Sequence, residues 1–136
     1  MHDTEVKAAL IAAVQALNLP LLQVENVSTG RLDPTKPWYR ATVLPARTVH
    51  ATVGIGGLER LAGILQVDVF VPTGKGTELA DTSASTTIDA FAPRTRIAAA
   101  GDTIVIDRSY LLRASTFEGF YQLPVHIEWW VHTHRT

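Results

Sequence analysis

Arg60-Leu61-Ala62-Gly63-Ile64-Leu65-Gln66-Val67-Asp68-Val69-Phe70-Val71 runs directly into the turn Pro72-Thr73-Gly74-Lys75-Gly76, and its reading decides the fold. Side chains alternate across a strand, so Leu65, Val67, Val69 and Val71 share one face while Gln66, Asp68 and Phe70 share the other. The same two-faced pattern returns near the C-terminus. There Tyr121, Leu123, Val125, Ile127, Trp129 and Val131 alternate with Phe120, Gln122, Pro124, His126, Glu128, Trp130 and His132. One apolar face and one mixed, aromatic-bearing face point to assembly more than to catalysis.

Working outward, Trp38 to Leu44 alternates as a third strand, with Tyr39, Ala41 and Val43 on the better core face and Trp38, Arg40 and Thr42 on the other. Pro45 to Leu58 mixes β-branched residues with three glycines and reads as a hairpin arm or extended loop, flexible in an isolated subunit. Thr4 to Leu17 reads as a helix with Val6, Leu10, Ala13, Val14 and Leu17 on one stripe, capped by Asp3 and stopped by Leu19-Pro20. Leu21 to Val24 is a short extended piece, and Glu25 to Pro37, with Gly30, Pro34 and Pro37, is a mobile loop. A second helix over Thr77 to Phe91 carries Ala80, Ala84, Ile88 and Phe91 on its stripe. Further strands are expected at 97–99, 103–107 and 120–131, with Arg108 to Gly119 as a loop. The order predicts a single α+β domain with a mixed, mostly antiparallel sheet and two helices packed on one face.

At 136 residues the chain is long enough to bury roughly two-thirds of its unfolded surface in one core. The absence of cysteine removes disulfides, thiolate metal sites and cysteine nucleophiles together. Twelve Lys and Arg stand against 13 Asp and Glu, and the net charge of −1 gives no global field for a specific nucleic acid or an anionic membrane. Met1-His2-Asp3-Thr4-Glu5 carries acids where a signal peptide is positive, so export is not expected. The apolar run Leu10 to Leu17 is far shorter than the roughly 20 residues of a membrane span.

Gly74-Lys75-Gly76-Thr77 resembles the end of a phosphate-binding loop but lacks its spacing, because Gly76 rather than Ser or Thr follows Lys75. A plain strand-to-helix turn is the better reading. Gly54-Ile55-Gly56-Gly57 has Glu59 where a dinucleotide fingerprint needs its third glycine. His126, His132 and His134 share parity, yet His126 and His132 lie about 20 Å apart along an extended strand, too far to ligate one ion. No metal and no cofactor are assigned. Asp68 and Glu128 near Arg40 read as cross-strand ion pairs rather than acid/base groups, and no serine stands in a nucleophile-elbow setting. No catalytic residue is assigned, and the chain is not expected to be an enzyme.

The face opposite the core carries Trp38, Phe70, Phe120 and Trp130, and two helices cover only one sheet face. An exposed aromatic patch marks an interface, so Trp38, Arg40, Phe70 and Trp130 are expected at an oligomer or tube contact. The arm adds Arg47, His50 and Arg60 to that set.

These stretches resemble the phage tail terminator family, related to the lambda tail terminator. The likeness rests on Trp38 to Pro45, on Gly63 to Pro72 with Gly74 and Gly76, on the helix ending at Phe91, and on Phe120 to Val125. The resemblance implies a subunit that forms a sixfold homo-oligomeric ring on the head-proximal end of the tail tube. It also implies major tail tube protein and head-tail connector as partners, and a phage or prophage protein acting in the host cytoplasm before joining the virion. Another head-tail joining or neck component is the neighbouring alternative. A small phosphate-ligand-binding domain or enzyme using the Gly74 to Thr77 turn is the more distant one.

Overall fold

The computed structural model describes residues 3–17, 22–24, 36–44, 47–50, 58–74, 78–99, 101–117 and 119–134. In chain order these form α1 (Asp3–Gln15), β1 (Leu22–Val24), β2 (Trp38–Val43), β3 (Arg47–His50), β4 (Leu58–Pro72), α2 (Glu78–Ala90), β5 (Arg96–Ala99), β6 (Asp102–Leu111), β7 (Ser115–Phe117) and β8 (Phe120–His134). The fold is α+β, as the alternation and the two helical stripes predict.

The two long alternating stretches become β4 and β8, 15 residues each, and pair antiparallel along their whole length from Leu58↔His134 to Pro72↔Phe120. They form the spine of one sheet ordered β1-β2-β4-β8-β6-β5, with β3 also on β4 and β7 also on β8. Among the described residues only β1 and β2 pair in parallel, and the other pairings are antiparallel.

Register places the core. Tyr39 opposes Val69, Ala41 opposes Val67, Leu65 opposes Ile127, and Leu61 opposes Val131, which faces Ile104 on the other side. These residues are buried in one cluster with Val6, Leu10 and Val14 of α1 and Ala80 and Ala84 of α2, so both helices lie on this face. The α1 stripe read from the sequence is thus the packed one. In α2, Thr87 is also fully buried, with its hydroxyl donating to the Ser83 carbonyl at 3.0 Å, and Tyr39 and Ser83 join their hydroxyls at 2.8 Å.

Helix α2 ends in the turn Ala92-Pro93-Arg94-Thr95, closed by Thr95 N–H to the Ala92 carbonyl at 3.1 Å. Pro93 supplies the fixed first corner, and Arg94 takes φ 74, the left-handed value this turn type requires at its third residue.

The expected loop at 108–119 is corrected. Strand β6 continues to Leu111, and β7 follows at Ser115–Phe117. The reason is a bulge between Ile106 and Arg108, which leaves Asp107 outside the β8 register. After it the parity reverses, so Ser109 rather than Arg108 faces the core and its hydroxyl donates to the Phe91 carbonyl at 2.6 Å. Simple alternation breaks there and the strand looks like loop. Pro124 sits where β6 gives way to β7, and its carbonyl accepts from Leu112 N–H at 3.0 Å, so its missing N–H falls at that junction and not in the β4 ladder.

Of the arm expected over 45–58, Arg47–His50 pairs antiparallel with Glu59–Ala62, a hairpin-type pairing. Residues 45–46 and 51–57, the loop at 25–35, and 75–77 of the glycine turn lie outside the described residues.

Candidate functional site

The face away from the helices divides into three zones along the β4–β8 spine, each fixed by register. At the β2 end, Trp38 opposes Phe70 and Pro72 opposes Phe120. Trp38 and Phe70 stack with centroids 3.9 Å apart and planes 4° from parallel, and Phe120 meets both edge-on at 5.9 and 6.5 Å. Their relative exposures are 3%, 0% and 7%. The expected exposure of Trp38, Phe70 and Phe120 is therefore corrected: on the second face they form a small core of their own. Alternation assigns a residue to a face, but it does not say whether that face is covered. Trp38 Nε1 is buried with no hydrogen-bond partner.

The middle zone is polar and organised around Asp68, which is 0% exposed. Its Oδ2 accepts from Arg40 Nε and faces Nη2, both at 3.3 Å, and its Oδ1 accepts from Gln66 Nε2 at 2.8 Å and Gln122 Nε2 at 3.0 Å. With the Gln66 amide nitrogen so used, its Oε1 accepts from His126 Nε2 at 2.8 Å, which fixes the proton on that nitrogen. A buried carboxylate tolerates its lost hydration only when its lone pairs are filled in this way. Arg40 also lies over the Phe70 ring at 5.2 Å, joining the first zone to the second.

Beyond His126, Glu128 opposes Arg108 and pairs with its Nε. Arg108 lies 5.4 Å over the Tyr110 ring. Partial burial, and then the nearby Glu128 carboxylate, raise the Tyr110 hydroxyl above its ordinary pKa. Asp68 pairs with Arg40 as read from the sequence, whereas Glu128 takes Arg108. Sequence reading missed Gln66, Gln122 and His126 as ligands of the network, although their shared parity with Asp68 was visible. It missed Arg108 and Tyr110 because the bulge hid their strand.

The third zone lies at the far end. Trp130, half-buried, opposes Ala62 and Val105, and Trp129 beside it is buried at 2% on the core face. Arg60 lies 4.8 Å over the Trp130 ring, and the His132 ring is 4.7 Å from it. Arg60 Nε is buried without a hydrogen-bond partner. The structure thus brings Arg60 and Trp130 together and sets Trp38 and Phe70 at the opposite end, about 33 Å from Arg60 along β4, with Arg40 in the polar zone between. Arg47 and His50 are placed by their backbones opposite Ala62 and Glu59; their side chains lie outside the described part.

Among the described residues no group of His, Asp and Glu is arranged to hold a metal. No helix among them is long and apolar enough to cross a membrane.

The chain matches the model of the family described as "Phage tail terminator protein" over residues 5–129. Among solved structures, one with no functional description superposes at TM-score 0.74, with 18% identity, covering 100% of this chain and 99% of the other. A second belongs to the "Virion of native gene transfer agent (GTA) particle", at TM-score 0.61 and 14% identity, covering 96% of each chain. At these identities both likenesses speak for the fold alone. No curated protein sequence matches the chain.

Proposed function

The chain belongs to the phage tail terminator family, and on that premise we propose that it closes into a ring on the head-proximal end of the tail tube. There it stops tube polymerisation and presents the surface to which the head attaches. Its role as a structural component of the phage virion follows from the family; the ring, its sixfold symmetry and its contacts with tube and connector are the proposal.

The observation that carries this reading is the family match across nearly the whole domain, with every strand of the β4–β8 spine inside or bordering it. A structural neighbour within a gene transfer agent virion shares the fold over 96% of each chain. The second sheet face supports a structural role as well, because Asp68 and Glu128 are both taken up by cross-strand arginines. The subunit is proposed to act in the host cytoplasm during assembly and then in the virion, with no catalytic function.

Electron microscopy of tail tubes assembled with and without the protein tests the reading. Capped tubes of uniform length are expected when it is present. Tubes that keep growing, with bare ends, would overturn the proposal.

A further inference from the structure

Of Arg40, Arg60 and Arg108 on the second sheet face, two are paired across the ladder and Arg60 is not. Arg40 on β2 has Asp68 as its partner across the ladder, and Arg108 on β6 has Glu128, and each pair is joined by a salt bridge. Arg60 on β4 has Val49 on one side and His132 on the other. Among the described residues no carboxylate meets it. Its guanidinium rests on the Trp130 ring, its Nε is buried without an acceptor, and His132 stands on the same ring. A guanidinium over an indole ring with no carboxylate beside it is placed to receive one.

The same chain carries a surface of matching chemistry. In the first turn of α2, Glu78 and Asp81 are exposed, and Leu79 next to Glu78 is at 50% the most exposed large apolar side chain among the described residues. The acids suit the positive end of the helix dipole, but the leucine has no such reason to stand in water. Among the described residues neither acid pairs with a cation. An apolar knob beside a carboxylate complements a half-buried tryptophan beside an arginine and a histidine.

These two surfaces cannot meet within one molecule. Helix α2 packs Ala80 and Ala84 on the core face, whereas Arg60 and Trp130 lie on the other face. Arg60 is also about 40 Å along β4 from Pro72, beyond which α2 begins. We propose that the Glu78-Leu79-Asp81 turn of one copy docks on the Arg60-Trp130-His132 cluster of the next. Leu79 would cover Trp130, and a carboxylate of Glu78 or Asp81 would pair with the Arg60 guanidinium. Such a contact joins different surfaces of identical subunits, so it propagates head to tail and closes when the rotation permits. The inference rests on the ring reading above and names the subunit contact within it.

Charge exchange followed by sedimentation velocity tests it. Arg60→Glu alone, and Glu78→Arg with Asp81→Arg, should each weaken self-association by about thirtyfold or more, because each strands like charges at a close pair. The chain carrying all three changes should regain most of the wild-type association. A triple variant as weak as its parents, a parent that associates like wild type, or a wild type monomeric at all concentrations would overturn the proposal. A second route avoids the charges. The chain has no cysteine, so oxidised Leu79→Cys/His132→Cys protein should give a ladder of disulfide-linked copies, and the absence of that ladder would also overturn it. If the exchange fails while rings still cap tubes, the contact is wrong and the function stands; if the exchange succeeds but the rings ignore tubes, the reverse holds.

Discussion

Trp38 lies flat on Phe70, its partner across the β2–β4 ladder, with ring centroids 3.9 Å apart and planes 4° from parallel. Phe70 is fully buried and Phe120 closes the edge of the pair, so this trio holds the sheet together and is not a free contact surface. Phe70→Ala should therefore lower stability by about 3–5 kcal/mol, the usual range for a truncated buried aromatic. Chemical denaturation of the isolated subunit measures this. A variant that unfolds like wild type but assembles poorly would return Phe70 to the interface.

Asp68 provides a second test, because its carboxylate is the common acceptor for Arg40, Gln66 and Gln122. Asp68→Ala takes the shared buried acceptor from the Gln66 and Gln122 amides and from Arg40 Nε, and should destabilise by about 1–3 kcal/mol. Replacing both partners, with Arg40→Met and Asp68→Leu, should recover a substantial share, since buried ion pairs are replaceable by apolar residues of similar volume. Urea midpoints of the two variants decide the matter; equal losses would mean that the amide network, not the Arg40–Asp68 pair, carries the effect.

The spine was legible because burial on one face imposes alternation, which β4 obeys from Leu65 to Val71 and β8 from Tyr121 to Val131. The helical stripes were legible for the same reason: Val6, Leu10 and Val14 recur at helical spacing and all three are buried. Strand β6 was not, because one bulged residue at Asp107 reverses parity and turns a regular pattern into an apparent loop. The aromatic patch was half legible. Parity correctly put Trp38, Phe70 and Phe120 on the second face, but their mutual packing depends on register between strands distant in sequence. The Arg60 and Trp130 contact likewise follows from pairing Ala62 with Trp130, which no local pattern prints.

Tyr110 makes stability depend on alkaline pH. Its folded pKa lies above the ordinary value of 10.0, through partial burial first and the Glu128 carboxylate second, so the folded state favours the neutral phenol. The contribution is fully present below the unfolded value and is lost as pH rises through the folded one. Stability of wild type should thus fall, relative to Tyr110→Phe, as pH rises above about 10, the unfolded value for tyrosine. Urea midpoints of both proteins on either side of that value give the difference, and a constant difference would contradict the assignment.

The neighbouring tryptophans should separate folding from assembly. Trp129 opposes Gly63 and Ile106 on the core face and is buried, whereas Trp130 opposes Ala62 and Val105 on the second face and is half-buried beneath Arg60. Trp129→Ala removes a large indole from the main core and should cost about 3–5 kcal/mol of stability. Trp130→Ala should melt much closer to wild type but lose at least about 2 kcal/mol of association, since an aromatic under an arginine is the composition of an interface hot spot. Arg60 then loses the ring that orients it, so Trp130→Ala should weaken association much as Arg60→Ala does, and the double variant should lose less than the sum of the two. Thermal melts and sedimentation of the four variants supply the comparison. Additive losses would separate Arg60 from Trp130 as independent contacts, and a Trp130→Ala melt as early as that of Trp129→Ala would place Trp130 in the core.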